Sequence, residues 1–110
     1  MKIPVDDKLF ERVVDFVCEA EYQSPEMVRG QRRYPELVRV RKIVSAIMRD
    51  QFRWSQTRTG DQWGFDSTTV YNHLKRMSDD ESKVAGDLGF LFVEELYEPQ
   101  NVSVGNGVDG

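Results

Sequence analysis

Residues 55–77 read SQTRTGDQWGFDSTTVYNHLKRM, and their spacing decides how the rest of the chain is read. Two short stretches of helical character, Ser55 to about Gln62 and Ser67 to Met77, flank Trp63, Gly64, Phe65 and Asp66, a break that contains a glycine. In the second stretch Val70, Leu74 and Met77 recur at i, i+4 and i+7, which makes a buried stripe. Thr68, Thr69, Asn72, Lys75 and Arg76 fall elsewhere around the same helix. Short helix, glycine turn, short helix is the pattern of a helix-turn-helix.

Toward the amino terminus, Phe10, Val13, Val14 and Val17 put one apolar stripe on a helix from about Asp7 to Glu21. Ser24 before Pro25 and Glu26 reads as an N-cap with proline at the first helical position, predicting a short helix that ends near Gly30. Pro35 opens a longer helix to about Phe52, with Leu37, Val40, Val44, Ile47 and Met48 on its apolar face and Arg39, Lys42, Arg49 and Arg53 on the other. Toward the carboxy terminus, a last helix is expected from about Asp80 to Tyr97, with Val84, Leu88, Leu91 and Phe92 on one side. Its first turn holds Asp79, Asp80 and Glu81, where the helix dipole favours anions, although Gly86 and Gly89 lower its helix propensity. No stretch alternates as a strand does, so the expected fold is all-α, a helix-turn-helix bundle of about six helices over residues 1–97. Residues 98–110, with three glycines among them, are expected to be a disordered tail.

A length of 110 residues holds one domain. Such a chain buries roughly 60 to 70% of its unfolded surface, enough for a core without disulfide or metal. Cys18 is the one cysteine, no apolar leader stands at Met1 to Phe10, and the longest apolar run is Phe90 to Val93. The expectation is therefore a cytoplasmic protein without a membrane partner.

The net charge of −4 argues against nucleic acid until it is located. From Arg29 to Arg76 eleven Lys and Arg face four Asp and Glu, a net of +7, while Met1 to Val28 carries −4 and Met77 to Gly110 carries −7. A basic middle between acidic flanks predicts a surface that meets a polyanion. No HExxH, CxxC or nucleophile–base arrangement is recognisable around the single His73 and the single Cys18, so an enzyme, a metal site, a cofactor and a small-molecule substrate are not expected.

Three pieces meet a known family in order and spacing: Val38 to Ile43, Ser55 to Gly60, and Trp63-Gly64-Phe65-Asp66-Ser67-Thr68-Thr69-Val70. Together they resemble the carboxy-terminal DNA-binding domain of the bacterial replication initiator DnaA, over about Phe10 to Met77 and on toward Leu96. The stretch Asp66 to Val70 resembles the family's Asp-His-Thr-Thr-Val box, with Ser67 in place of histidine. No Gly-Lys-Ser or Gly-Lys-Thr phosphate loop is present, so what the resemblance implies is a stand-alone, Trp-repressor-like module without an ATPase. Its partner would be double-stranded DNA, with sites like the initiator's boxes.

In that reading the second helix of the motif meets base edges through Asp66, Ser67, Thr68, Thr69 and Asn72. Asp66 is equally well placed as the N-cap bonded to the Thr69 amide. By position in the resemblance Arg33 reaches a minor groove, with Arg32 beside it. Arg39, Arg41, Lys42, Ser55, Gln56, Thr57 and Arg76 are the expected phosphate contacts. Trp54 and Trp63 are read as core rather than as base-stacking groups, and His73 as a satisfied structural histidine at the buried border. A rival reading keeps the fold but assigns the acidic last helix to a protein partner, as an interaction module or an anti-initiator.

Overall fold

The third helix organises the molecule, because each of the other five packs on it. In the computed structural model, which describes residues 7–97, the helices are α1 (Asp7–Glu21), α2 (Pro25–Arg29), α3 (Pro35–Phe52), α4 (Gln56–Trp63), α5 (Ser67–Lys75) and α6 (Asp79–Tyr97). The fold is the expected all-α bundle of six helices. Residues 98–110, expected as a tail, lie outside the described residues.

In α1 the apolar stripe accounts for most of the burial, although the helix packs on α2, α3 and α6. Phe10, Val13, Val14 and Val17 are all buried, joined by Leu9 and Cys18. For α3 the stripe understates the burial. Ile43, Ala46, Ser45 and Arg41 are sealed in addition to Leu37, Val40, Val44, Ile47 and Met48, since helices surround it.

The starts of α2 and α4 and the end of α4 are explained by their own residues. Ser24 accepts from the Met27 amide at 3.4 Å and Ser55 from the Arg58 amide at 3.0 Å. Gly64, at φ +82°, closes α4, and both its amide and that of Phe65 donate to Gly60 O at 2.8 Å. Gly60 itself has no room for a side chain, because a Cβ there would meet Phe65 O at 2.7 Å. Close approach at Gly60 and left-handed backbone at Gly64 make the tight turn between α4 and α5.

Helix α5 stops at Lys75, two residues before its expected end at Met77. The next helix explains the early stop. Ser78 and Glu81 form a reciprocal capping box, Glu81 N–H to Ser78 Oγ at 3.0 Å and Ser78 N–H to Glu81 Oε1 at 2.9 Å. In α6, Gly89 is buried, and a Cβ there would press on Gln51 and Ile47 of α3 at 3.3 and 3.4 Å. The close approach offsets its poor helix propensity. The seam of α6 is Ala85 and Phe92, with Val84, Leu88 and Leu96 partly buried. Leu91, expected on that seam, is turned out and 49% exposed, since it stands about 100° round the helix from Phe92.

Both tryptophans are core, as expected. Phe10 stacks on Trp54 at 5.9 Å and meets Trp63 edge-on at 4.8 Å. The Trp63 indole N–H donates to buried Ser45 Oγ at 2.9 Å, which satisfies both groups. No helix among the described residues is long and apolar enough to cross a membrane.

Candidate nucleic-acid interface

Asp66 is the N-cap of α5: its Oδ1 accepts from the Thr69 amide and the Thr69 hydroxyl, each at 2.9 Å. Those bonds hold its carboxyl below the usual aspartate range. They also fix the first turn of α5, leaving Thr68 exposed and Ser67, Thr69 and Asn72 half-buried. Tyr71, which sequence reasoning passed over, is 47% exposed, with the Lys75 ammonium 5.7 Å from its ring. The signal was there in the helical spacing of Thr68, Tyr71 and Lys75.

A cleft of about 550 Å³ opens between α5, α3, the α4–α5 turn and the loop from α2 to α3. Five cations line it: Arg29, Arg33, Arg41, Lys42 and Arg76. No carboxylate among the described residues does. Thr69 and Asn72 stand on the α5 wall, so the structure brings together six of the expected contacts, Arg33, Arg41, Lys42, Thr69, Asn72 and Arg76, at one concavity. The guanidiniums of Arg33 and Arg76 are exposed and have no partner among the described residues.

Three cations expected at phosphates are placed otherwise. Arg41 is 2% exposed, and its guanidinium donates to Val28 O at 2.9 Å and Gly30 O at 3.1 Å, so it holds the α2–α3 loop from within. A duplex cannot reach it. Arg39 lies between Glu21 at 2.7 Å and Asp80 at 2.9 Å, which ties α3 to α1 and α6. Lys42 lines the cleft but is shared with Glu81 at 3.4 Å and Arg76 O at 3.3 Å. In each case α2 or an acidic helix supplies the acceptor.

Ser55, Gln56 and Thr57 are exposed at the start of α4 but do not line the cleft. Arg32 is exposed in the loop, hydrogen-bonded to Tyr34 Oη at 2.8 Å. Arg29, not singled out from the sequence, donates to Gln62 O at 2.9 Å and lies 5.1 Å from the Phe10 ring centre, bracing α2 against α4.

His73 departs from the expectation of a satisfied histidine. Its ring is edge-on to Phe65 at 5.8 Å, it lines the cleft, and its buried Nδ1 has no hydrogen-bond partner. Burial, then Arg41, Lys42 and Arg33, hold its pKa below the ordinary 6.5, so the neutral imidazole is favoured. Cys18 is a core residue whose thiol is pushed up to about 11 by burial and by Asp15. That keeps it an unreactive thiol.

Among the carboxylates of α6, Asp87 pairs with Lys83 on the same helix at 3.1 Å. Asp80 and Glu81 serve Arg39 and Lys42, while Glu94 and Glu95 are exposed along with Phe90 and Leu91. No protein-family model, no curated protein and no solved structure matches this chain.

Proposed function

We propose that this chain is a sequence-reading module for double-stranded DNA, built as a DnaA-like, Trp-repressor-like helix-turn-helix and acting in replication initiation, its regulation or transcription regulation. In this reading α5 enters the major groove, with Thr68, Thr69 and Asn72 toward base edges and Asp66 both capping the helix and facing cytosine N4. Arg33 lies toward the adjacent minor groove, and Arg76 grips the backbone. Ser67, in place of the family's histidine, alters one base contact, so the preferred site differs from the initiator's own box.

One observation supports this reading above the others. Thr69 and Asn72 share a concavity with Arg33 and Arg76, and no carboxylate among the described residues pairs with either arginine. The role is recognition, without catalysis, in a bacterial or phage cytoplasm.

Enrichment of random duplexes on the purified protein tests the reading. A recurring motif is expected, bound better than its scramble, with a preference that Thr69→Ala weakens. Equal binding of both duplexes reduces the role to non-specific affinity. No binding favours a second reading, a protein-interaction module, for which the exposed pair Phe90 (59%) and Leu91 (49%) on α6 speaks. Under the DNA reading Phe90→Ser with Leu91→Ser leaves duplex affinity unchanged.

A further inference from the structure

The floor of the cleft goes unused in duplex reading. A groove-reading helix works from its exposed side, whereas Arg41 and His73 lie beneath the rim. Arg41 is held there by two carbonyl oxygens and no carboxylate, with Phe65 5.9 Å from its guanidinium. His73 adds a buried nitrogen with nothing to bond. Burying a cation such as Arg41 without an anion is costly, and the positive charges around it raise that cost. Burial and the Arg33 charge both disfavour the Arg41 cation. Five cations, an orphaned imidazole nitrogen and two side chains able to hydrogen-bond, Thr69 and Asn72, therefore surround a volume large enough for a small ligand.

We propose that this cleft is a binding site for a multiply charged phosphate group of the pyrophosphate type, held by Arg33 and Arg76 at the rim and by Asn72 inside, beside the His73 ring. The inference rests on the cleft, not on duplex recognition. A free nucleotide and a DNA backbone present the same phosphate oxygens, and the experiment separates these two sources. Because Arg33, Thr69 and Asn72 belong to both sites, a small phosphate ligand that fills the cleft displaces DNA.

His73 is the single histidine of the chain, so its ring proton resonances report the cleft without assignment of other imidazoles. The groups facing it are Arg33 from the loop, Arg41 and Lys42 from α3, and Arg76 at the end of α5, with Glu81 of α6 bonded to Lys42. The full chain is titrated with pH by NMR in sodium pyrophosphate and in sodium chloride of equal ionic strength. An anion seated near the ring favours its charged form, so pyrophosphate is expected to raise the His73 pKa by about one pH unit over chloride. The rise is expected to disappear in Arg33→Gln with Arg76→Gln, two exposed positions whose replacement leaves the helical circular dichroism unchanged.

No rise over chloride, or a rise that survives in the double variant, overturns the proposal. In the duplex arm, DNA that moves the His73 signal and is displaced by pyrophosphate at constant ionic strength supports the site with a backbone phosphate as its occupant. DNA that binds without moving His73, where pyrophosphate does move it, supports the site with a free phosphate ligand as its occupant. If no duplex binds while pyrophosphate moves His73, the DNA reading falls and the phosphate site stands.

Discussion

Helix α3 carries cations on two sides, and the two sides meet opposite fates. Toward α1 and α6, Arg39 is clasped by Glu21 and Asp80, and Lys42 by Glu81. Toward α2 and α5, Arg41 is buried against carbonyls, and the cleft it shares with Arg29, Arg33 and Arg76 has no carboxylate lining among the described residues. The paired carboxylates of α1 and α6, Glu21, Asp80 and Glu81, are therefore not spread evenly over the basic middle. They cover one side of α3 and leave the other positive, so the charge that decides function is a property of the folded surface rather than of the tally.

The largest expected effect is on the positive side. Trp63→Ala removes a wall of the cleft and orphans the buried Ser45 hydroxyl, and is expected to cost about 3–5 kcal/mol. On the paired side Asp80→Asn breaks an exposed ion pair and is expected to cost less than about 1 kcal/mol. Urea denaturation of the two variants checks the contrast; similar losses would contradict it.

Next in size is Arg41→Ala. It leaves Val28 O and Gly30 O without their donor and is expected to destabilise by about 1–3 kcal/mol. Retained stability with weakened duplex binding would return Arg41 to the role of a direct phosphate contact.

A smaller effect separates the two sides by pH. The unfolded His73 takes up a proton near pH 6.5 and the folded one only at lower pH, so stability is expected to fall as pH drops below 6.5 toward the folded pKa. His73→Gln is expected to flatten that slope. Asp66 is held below its ordinary 3.8 by the Thr69 bonds; Glu81, despite its burial, is held below 4.5 by the Ser78 amide and Lys42. Their stabilisation is present above those values and is lost as pH falls through the lower folded pKa, a separate and more acidic window. Thermal melts between pH 4.5 and 8 of both proteins measure the His73 part, and identical profiles would refute it.

The smallest effect lies away from both sides. Tyr22 ends α1 at φ +60° with its side chain 92% exposed, a left-handed backbone that glycine adopts freely. Tyr22→Gly is expected to gain up to about 1 kcal/mol, read as a rise in Tm without change in duplex affinity.

Several helices were legible because they carry their own stop or start: Ser24-Pro25, Ser55, Gly64 and Asp66 act on residues next to them in sequence. The end of α5 was misread because it is set by the Ser78–Glu81 box of the helix that follows. At the site, Thr69 and Asn72 were singled out from the helix-turn-helix pattern and Arg33 from its place in the resemblance. The burial of Arg41 was not legible, since its acceptors belong to α2 and the loop after it. Nor was the pairing of Arg39, whose acids come from helices on either side in the chain. The unbonded nitrogen of His73 is a fact about packing around Phe65, which no spacing encodes.

The dependence of duplex affinity on salt tests the central claim most directly. Each phosphate neutralised contributes about −0.9 to the log–log slope, so Arg76→Ala, which removes one backbone contact, is expected to flatten the slope of the intact chain by nearly one. Arg39→Ala, whose cation is already spent on Glu21 and Asp80, is expected to leave it unchanged. A slope near zero in the intact chain, or an equal flattening from Arg39→Ala, would contradict the account.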